Sequence, residues 1–170
     1  PVFTETQGQG WWVIILLLLV IAVIARRVFF VTKTSKYALP KGIKIFMAVI
    51  LLVPIGALFI CITASLQTTI DAEGVHYKYF PLINKERNIP WENVNKAYVR
   101  AYKPLGEYGG WGVRDDGDRG VAYNAAGDEG LQLVLKNGKK ILIGTQKPGE
   151  LKAVLIQLVK KRIIDSAVSE

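Results

Sequence analysis

Residues 11–31 read WWVIILLLLVIAVIARRVFFV, and residues 45–66 read IFMAVILLVPIGALFICITASL, with no charged side chain in the second run. A helix needs roughly 20 apolar residues to cross about 30 Å of hydrocarbon. The second run meets this length alone. The first run does so only if Arg26 and Arg27 snorkel to the headgroups and residues 28–31 stay in the interface. The two runs therefore predict a hairpin of two transmembrane helices over residues 11–66.

The charges around this hairpin predict its orientation. Residues 26–44, expected to form the loop, contain six bases and no acid, whereas residues 1–10 carry only Glu5. By the positive-inside rule the loop faces the cytoplasm, so the N-terminal segment and the chain after the second helix lie outside it. Because the bases follow the first apolar run, we interpret that run as an uncleaved anchor. The expected interfacial anchors are Trp11, Trp12, Arg26 and Arg27.

Composition limits the remaining classes of protein. The chain has 170 residues, 51% of them hydrophobic, and a net charge of +8. The bases concentrate between the helices, so the charge argues against a nucleic-acid partner. A single cysteine, Cys61, rules out a disulfide within the chain. We expect residues 1–10 to be a polar tail and residues 67–170 to be a separate domain.

The sequence after residue 67 is typical of antiparallel β structure. The turn DAEG at residues 71–74 predicts a hairpin with Gly74 at positive φ, and Asn137-Gly138 predicts another. A helix is expected over residues 148–163, because apolar residues recur there at helical spacing. The sum is seven or eight short strands in a bent antiparallel sheet capped by a C-terminal helix, which is the order of elements in a pleckstrin-homology-like (PH-like) domain.

Two apolar helices followed by such a domain resemble the bacterial PH-domain membrane proteins, and five segments resemble one uncharacterised family among them. The resemblance covers nearly the whole chain and implies a multi-pass protein of the bacterial inner membrane, but no catalytic or binding residue. It also implies a cytoplasmic domain, the reverse of the orientation that the charges predict. The segments are WW (11–12), IPW (89–91), GEYGGWG (106–112), AYN (122–124) and LVLKNGKKILIGTQKP (133–148).

Asp115, Asp116 and Asp118 surround Gly117 and are candidate Ca²⁺ ligands, since hard cations take carboxylate oxygens. The EF-hand pattern lacks its further ligands here, and aspartate is also favoured in turns because it bonds its own backbone. We therefore predict an aspartate-rich turn. The alternative is a Ca²⁺ site that also recruits Asp128 and Glu129.

The glycine-dense segment 106–112 does not end as a phosphate-binding loop does, so it predicts a sharp bend with Tyr108 and Trp111 packed over it. The alternative is that Tyr108 and Trp111 form a contact patch for a partner or for the bilayer. Phosphoinositide binding at the first hairpin loop is disfavoured, because residues 71–74 are acidic.

These patterns predict a non-catalytic integral membrane protein with no cofactor. Its PH-like domain would dock on a protein partner, as an accessory subunit of a larger membrane complex. The alternative is a membrane-anchored sensor that binds a lipid headgroup or Ca²⁺ at residues 115–118. Clustering of Glu107, Asp115 and Asp118 in a deep pocket with strongly shifted pKa values would instead favour an enzyme. The only histidine, His76, has no sequence partner for a metal site or a nucleophile pair.

Overall fold

The computed structural model describes residues 2–35 and 39–161, and the chain forms two compact units. The helical unit is Gln9–Thr63. The β unit is assembled from the described residues on both sides of that segment. The helical hairpin is therefore an insertion in the sequence of the β unit.

Two long helices make up the helical unit: α1 (Trp11–Thr34) and α2 (Lys41–Thr63), which pack against each other. Their apolar windows have mean hydropathies of 2.8 and 3.0, and no described residue of either helix is buried. By length and composition both helices are able to cross a membrane. Pro54 lies inside α2, as the sequence places it.

The connection between the helices is shorter than predicted. Arg26 and Arg27 lie within α1, which continues to Thr34, and α2 already begins at Lys41. The predicted loop over residues 26–44 is therefore wrong at both ends, because the helix pattern runs on past the charged pair. Lys36 lies outside the described residues.

The N-terminal segment is a strand of the β unit. Strand β1 (Phe3–Gly8) pairs antiparallel with β2 (Ser65–Ile70), and Gly8 lies opposite Ser65. Phe3, Glu5 and Gln7 are buried, whereas the residues between them are exposed. The polar tail predicted for residues 1–10 is thus wrong for Phe3–Gly8. The hairpin boundary predicted at residue 66 also moves, since Leu66 is a fully buried residue of β2.

The first sheet is an antiparallel meander in the order β1-β2-β3-β4, with β3 at Gly74–Phe80 and β4 at Ile83–Pro90. The predicted turn between β2 and β3 is present. The Asp71 carboxylate accepts bonds from the backbone N–H groups of Glu73 (2.9 Å) and Gly74 (3.1 Å). Gly74 does not have the positive φ that we predicted. Glycine is needed there because a Cβ would collide with the Ile89 carbonyl.

The rest of the β unit contains five strands and two helices: β5 (Val94–Ala101), α3 (Pro104–Tyr108), β6 (Gly112–Asp115), β7 (Val121–Asn124), β8 (Glu129–Leu135), β9 (Lys140–Thr145) and α4 (Pro148–Lys160). The five strands form the second sheet in the order β5-β8-β9-β7-β6, and its pairs are antiparallel except for the parallel pair β7–β9. The described residues thus contain nine strands, not seven or eight.

Helix α4 buries Leu151, Leu155 and Leu158 in the core of the β unit, as its apolar spacing predicts. The predicted helix extends to residue 163, whereas α4 ends at Lys160. Residues 162–163 lie outside the described residues. A single-turn 3₁₀ helix at Trp91–Asn93 joins β4 to β5.

Strand β1 connects the two sheets through buried polar side chains. The Glu5 carboxylate accepts bonds from the Thr145 hydroxyl (2.7 Å) and from the Gln146 backbone N–H (2.8 Å). The Gln7 amide donates to the Gly144 carbonyl at 2.6 Å. These bonds join the edge of the first sheet to the end of β9. The β unit therefore depends on a strand that precedes the helical hairpin in the sequence.

Candidate functional site

A cleft of about 680 Å³ opens in the β unit, where β3 and β4 face the β6–β7 and β8–β9 turns. Two tyrosines lie along its wall, and charged residues of both signs lie around it. The lining includes these tyrosines and charged residues: Tyr77, Arg87, Asp118, Tyr123, Lys139 and Lys140.

Tyr77 and Tyr123 form an aromatic floor, because β3 and β7 both turn these side chains inward. Each is 3% exposed, and their ring centroids lie 4.7 Å apart at a tilt of 45°. The Arg87 guanidinium donates to the Tyr123 hydroxyl at 3.0 Å. Burial is the main cause that raises the pKa of Tyr77, and the neighbouring Tyr123 raises it further. This phenol therefore stays neutral at physiological pH. The floor thus places the neutral Tyr77 phenol and the Tyr123 hydroxyl near the Arg87 cation.

In the β6–β7 turn, residues 115–120, the carboxylates of Asp115 and Asp116 make bonds within the turn. Asp115 accepts a bond from the Gly117 backbone N–H (2.9 Å), and Asp116 pairs with Arg119 (2.9 Å). The Lys140 ammonium donates to the Asp118 backbone carbonyl at 3.3 Å. Within residues 2–35 and 39–161, no three His, Cys, Asp or Glu side chains gather as a metal site would require. The described residues thus form the predicted turn and give the Ca²⁺ alternative, including Asp128 and Glu129, no ligand set.

Gly120 fixes this turn against β9. Its φ is +83°, and a Cβ there would collide with the Lys140 carbonyl. Gly117 also has a positive φ, of +65°, but open space surrounds it. The turn is therefore held close to Lys140 by a backbone contact that only glycine permits.

Tyr108 and Trp111 do not form the exposed pair considered from the sequence. Tyr108 is 5% exposed and packs edge-on against Tyr102, with ring centroids 6.1 Å apart. Burial raises its pKa. Trp111 is half-buried and donates to the Gly127 carbonyl at 2.9 Å. The contact patch is wrong for Tyr108, which is buried, and stays a prediction for Trp111.

Glu107 lies outside the cleft that Asp115 and Asp118 line. It pairs with Arg100 at 2.9 Å and accepts a bond from the Lys103 backbone N–H at 2.8 Å. Burial acts to raise the pKa of Glu107, but the bond to Arg100, the bond from the Lys103 backbone N–H and the charge of Arg100 outweigh this effect and hold the pKa below the usual value. Glu107 is therefore not clustered with Asp115 and Asp118 in one pocket. His76 lies 3.4 Å from the Asp71 carboxylate.

The expected membrane anchors lie at exposed positions of α1. Trp11 and Trp12 begin the helix and are 74% and 49% exposed. Arg26 and Arg27 are exposed and, with Phe29 and Phe30, line a shallow groove. Their role at the headgroups stays a prediction.

Sequence reasoning missed the cleft itself. The alternation of Tyr77 and Tyr79 on one strand indicated an inward aromatic row, but nothing local in the sequence indicated that Tyr123 would meet it. Arg87 was also missed, since its partner Tyr123 is 36 residues away.

The chain was compared with known proteins. A scan against models of protein families finds no match, and a search of curated proteins finds none either. The resemblance to bacterial PH-domain membrane proteins stays a prediction, and we infer function from the cleft and from the insertion of the hairpin.

Proposed function

We propose that this chain is a non-catalytic membrane protein whose β unit docks on a protein partner through the cleft, as an accessory subunit of a membrane complex. The observation that carries this proposal is the pairing of a buried tyrosine floor with exposed charges of both signs. Arg87 is already oriented by Tyr123, so it loses little side-chain entropy when a partner binds it. Lys139, on the β8–β9 turn, is exposed and lines the same cleft.

The cleft favours a polar partner segment over an apolar one. Its cations are Arg87, Lys139 and Lys140, and Asp115 and Asp118 stand on the β6–β7 turn. Charge complementarity would select a partner that carries acidic residues opposite the cations of the cleft and basic residues opposite the two aspartates.

We also infer that the β unit is PH-like. The support is its order of elements: a four-stranded meander, then the antiparallel set β5, β8 and β9, then helix α4. Helix α3 and strands β6 and β7 are then an insertion between β5 and β8. The cleft lies at this insertion.

The membrane part of the proposal rests on α1 and α2. Both helices are long, apolar and unburied, and the chain enters and leaves them from the paired strands β1 and β2. A spanning hairpin therefore leaves β1 and the rest of the β unit on one face of the membrane. The bases near the other end of the hairpin favour a cytoplasmic inter-helix connection in a bacterial inner membrane, with the β unit outside.

A second candidate function is the binding of an anionic lipid headgroup in the same cleft. It is favoured by the three cations named above, and open space surrounds Gly117 and Gly138 where a side chain would begin. Its test is thermal unfolding of the full chain in detergent with and without inorganic phosphate. Binding predicts stabilisation that Lys139→Gln abolishes.

The docking proposal is tested by site-directed photocrosslinking in the native membrane. A photoreactive side chain at Lys139 should give one discrete adduct with another protein. The same side chain at Lys96, which is exposed on β5 outside the cleft, should not. Arg87→Glu should reduce the adduct, and Lys96→Glu should leave it unchanged. Equal crosslinking from both positions, or a solubilised chain that runs alone at its monomer mass, would contradict docking.

A further inference from the structure

The β3–β4 turn carries two exposed apolar side chains in a β unit that otherwise covers most of its own. Phe80 is 40% exposed and Leu82 is 65% exposed. Phe80 is the last residue of β3, and Leu82 lies in the two-residue turn before Ile83 begins β4. An apolar turn tip of this kind needs a partner that is itself apolar or interfacial.

The position of this tip in the sheet identifies the partner. Gly8 lies opposite Ser65, and Ser65 lies opposite Phe80, so the three residues form one row across β1, β2 and β3. Adjacent strands are about 4.8 Å apart, so the row is only about 10 Å wide. The β3–β4 turn is thus at the same end of the sheet as both connections to the helical hairpin.

Those connections are short. Gln9 and Gly10 are the only residues between β1 and Trp11, and Ala64 alone separates Thr63 from β2. Two residues span at most about 7 Å even when fully extended. If α1 and α2 cross a bilayer, the row of Gly8, Ser65 and Phe80 is therefore held within reach of its headgroup region.

The charges next to the tip fit the same partner. Lys78 precedes Phe80 by two residues, and Lys85 follows Leu82 by three. Apolar side chains flanked by lysine are suited to the membrane interface, where the apolar groups enter the acyl boundary and the ammonium groups meet lipid phosphates. Glu86 follows Lys85 on the exposed strand β4, so one acid lies beyond the basic pair.

We propose that the Phe80–Leu82 tip inserts into the surface of the bilayer that α1 and α2 cross, so that the β unit contacts the membrane at a third point besides its two covalent connections. This inference rests on the proposed membrane anchoring. The tip lies on the same row as the two connections, so the three contacts together hold that row of the first sheet against the bilayer surface.

The test uses the full chain in liposomes with Cys61→Ala and one new cysteine carrying a fluorophore. Leu82→Cys reports on the tip, and Val53→Cys, at an exposed position in the middle of α2, reports on membrane insertion. Ala72→Cys is the control. It is exposed on the β2–β3 turn at the opposite end of the first sheet, about 20 Å away along a six-residue strand.

The proposal predicts that lipids with a quencher near the headgroup reduce the emission at position 82 by about half or more, because interfacial side chains enter the bilayer by about 5–10 Å. Emission at position 72 should not change, and emission at position 53 should respond to quenchers deep in the acyl chains. Phe80→Ser should lower the quenching at position 82.

The other results overturn the inference in two distinguishable ways. Quenching at position 53 with equal, weak quenching at positions 82 and 72 would leave the membrane anchoring in place and refute the inserted tip. Absence of quenching at position 53 would refute the anchoring and the tip together.

Discussion

Strand β1 and helix α1 are neighbours in the sequence, yet they are held by different forces. Helix α1 satisfies its backbone within itself and is specified by its own apolar residues. Strand β1 satisfies its backbone only by pairing with β2, which lies more than 50 residues later. The difference shows that an apolar two-helix hairpin can be inserted between two paired strands without preventing their pairing, since Gly8 and Ser65 remain opposite each other.

Removal of β1 should have the largest effect on the folding of the β unit. We expect a fragment of residues 67–170 not to fold, because it lacks β1 and exposes the polar positions of β9 that Glu5 and Gln7 fill. A chain in which residues 9–64 are replaced by Asn-Gly should fold, since a two-residue turn suits the facing pair Gly8 and Ser65. Cooperative thermal unfolding followed by circular dichroism distinguishes them. A stable fragment 67–170 would show that β1 is dispensable.

A smaller change sharpens the role of β1. Glu5→Ala should destabilise the β unit by about 2–3 kcal/mol, because the Thr145 hydroxyl and the Gln146 N–H lose a buried acceptor. Thr6→Ala, on the exposed side of the same strand, should change stability by less than about 0.5 kcal/mol. Both changes in stability are measured by denaturant unfolding of the chain in which Asn-Gly replaces residues 9–64. Equal effects would mean that the strand is held only by its backbone pairing with β2.

The β6–β7 turn provides an internal comparison between two glycines with positive φ. Gly117→Ala should cost about 1 kcal/mol, from backbone conformation alone. Gly120→Ala should cost roughly twice as much, because its Cβ also meets the Lys140 carbonyl. Thermal unfolding of the two variants measures this difference. Similar losses would indicate that the turn can move away from β9.

The smallest expected effect concerns the Arg100–Glu107 pair, whose side chains are about one-quarter exposed. The pKa of Glu107 is lowered from its ordinary 4.5, so its contribution is fully present above about pH 4.5 and is lost as the pH falls through the lower folded-state value. Glu107→Gln should therefore cost about 1 kcal/mol or less at pH 7 and nothing near pH 2. A penalty for Glu107→Gln that did not change between pH 7 and pH 2 would contradict this ion pair.

The sequence alone was sufficient to predict the elements that depend on residues close together in the chain. The two apolar helices, the turn at Asp71, the Asn137-Gly138 hairpin and the apolar face of α4 all depend on residues a few positions apart. Each of these was predicted and is present in the structure.

The features that sequence reasoning missed depend on distant residues. The segment FTETQG has one large apolar residue, Phe3, so it lacks the alternating pattern that indicates a strand. Strand β1 is recognisable only from the bonds that Glu5 and Gln7 make to β9. The cleft likewise requires Tyr77, Arg87 and Tyr123 to meet from three strands. Tyr108 could not be assigned to core or surface, because glycine-rich segments place aromatic residues on either.

The central claim is that the hairpin crosses the membrane and returns the chain to the strand that it left. We would test it by labelling single cysteines in Cys61→Ala chains with a membrane-impermeant thiol reagent, at Thr4 on β1, Ala72 on the β2–β3 turn and Pro40 at the start of α2. The account predicts that intact cells label positions 4 and 72 equally, and label position 40 only after permeabilisation. Labelling of position 40 from the same side as positions 4 and 72 would contradict a spanning hairpin, and opposite sides for positions 4 and 72 would contradict the pairing of β1 with β2.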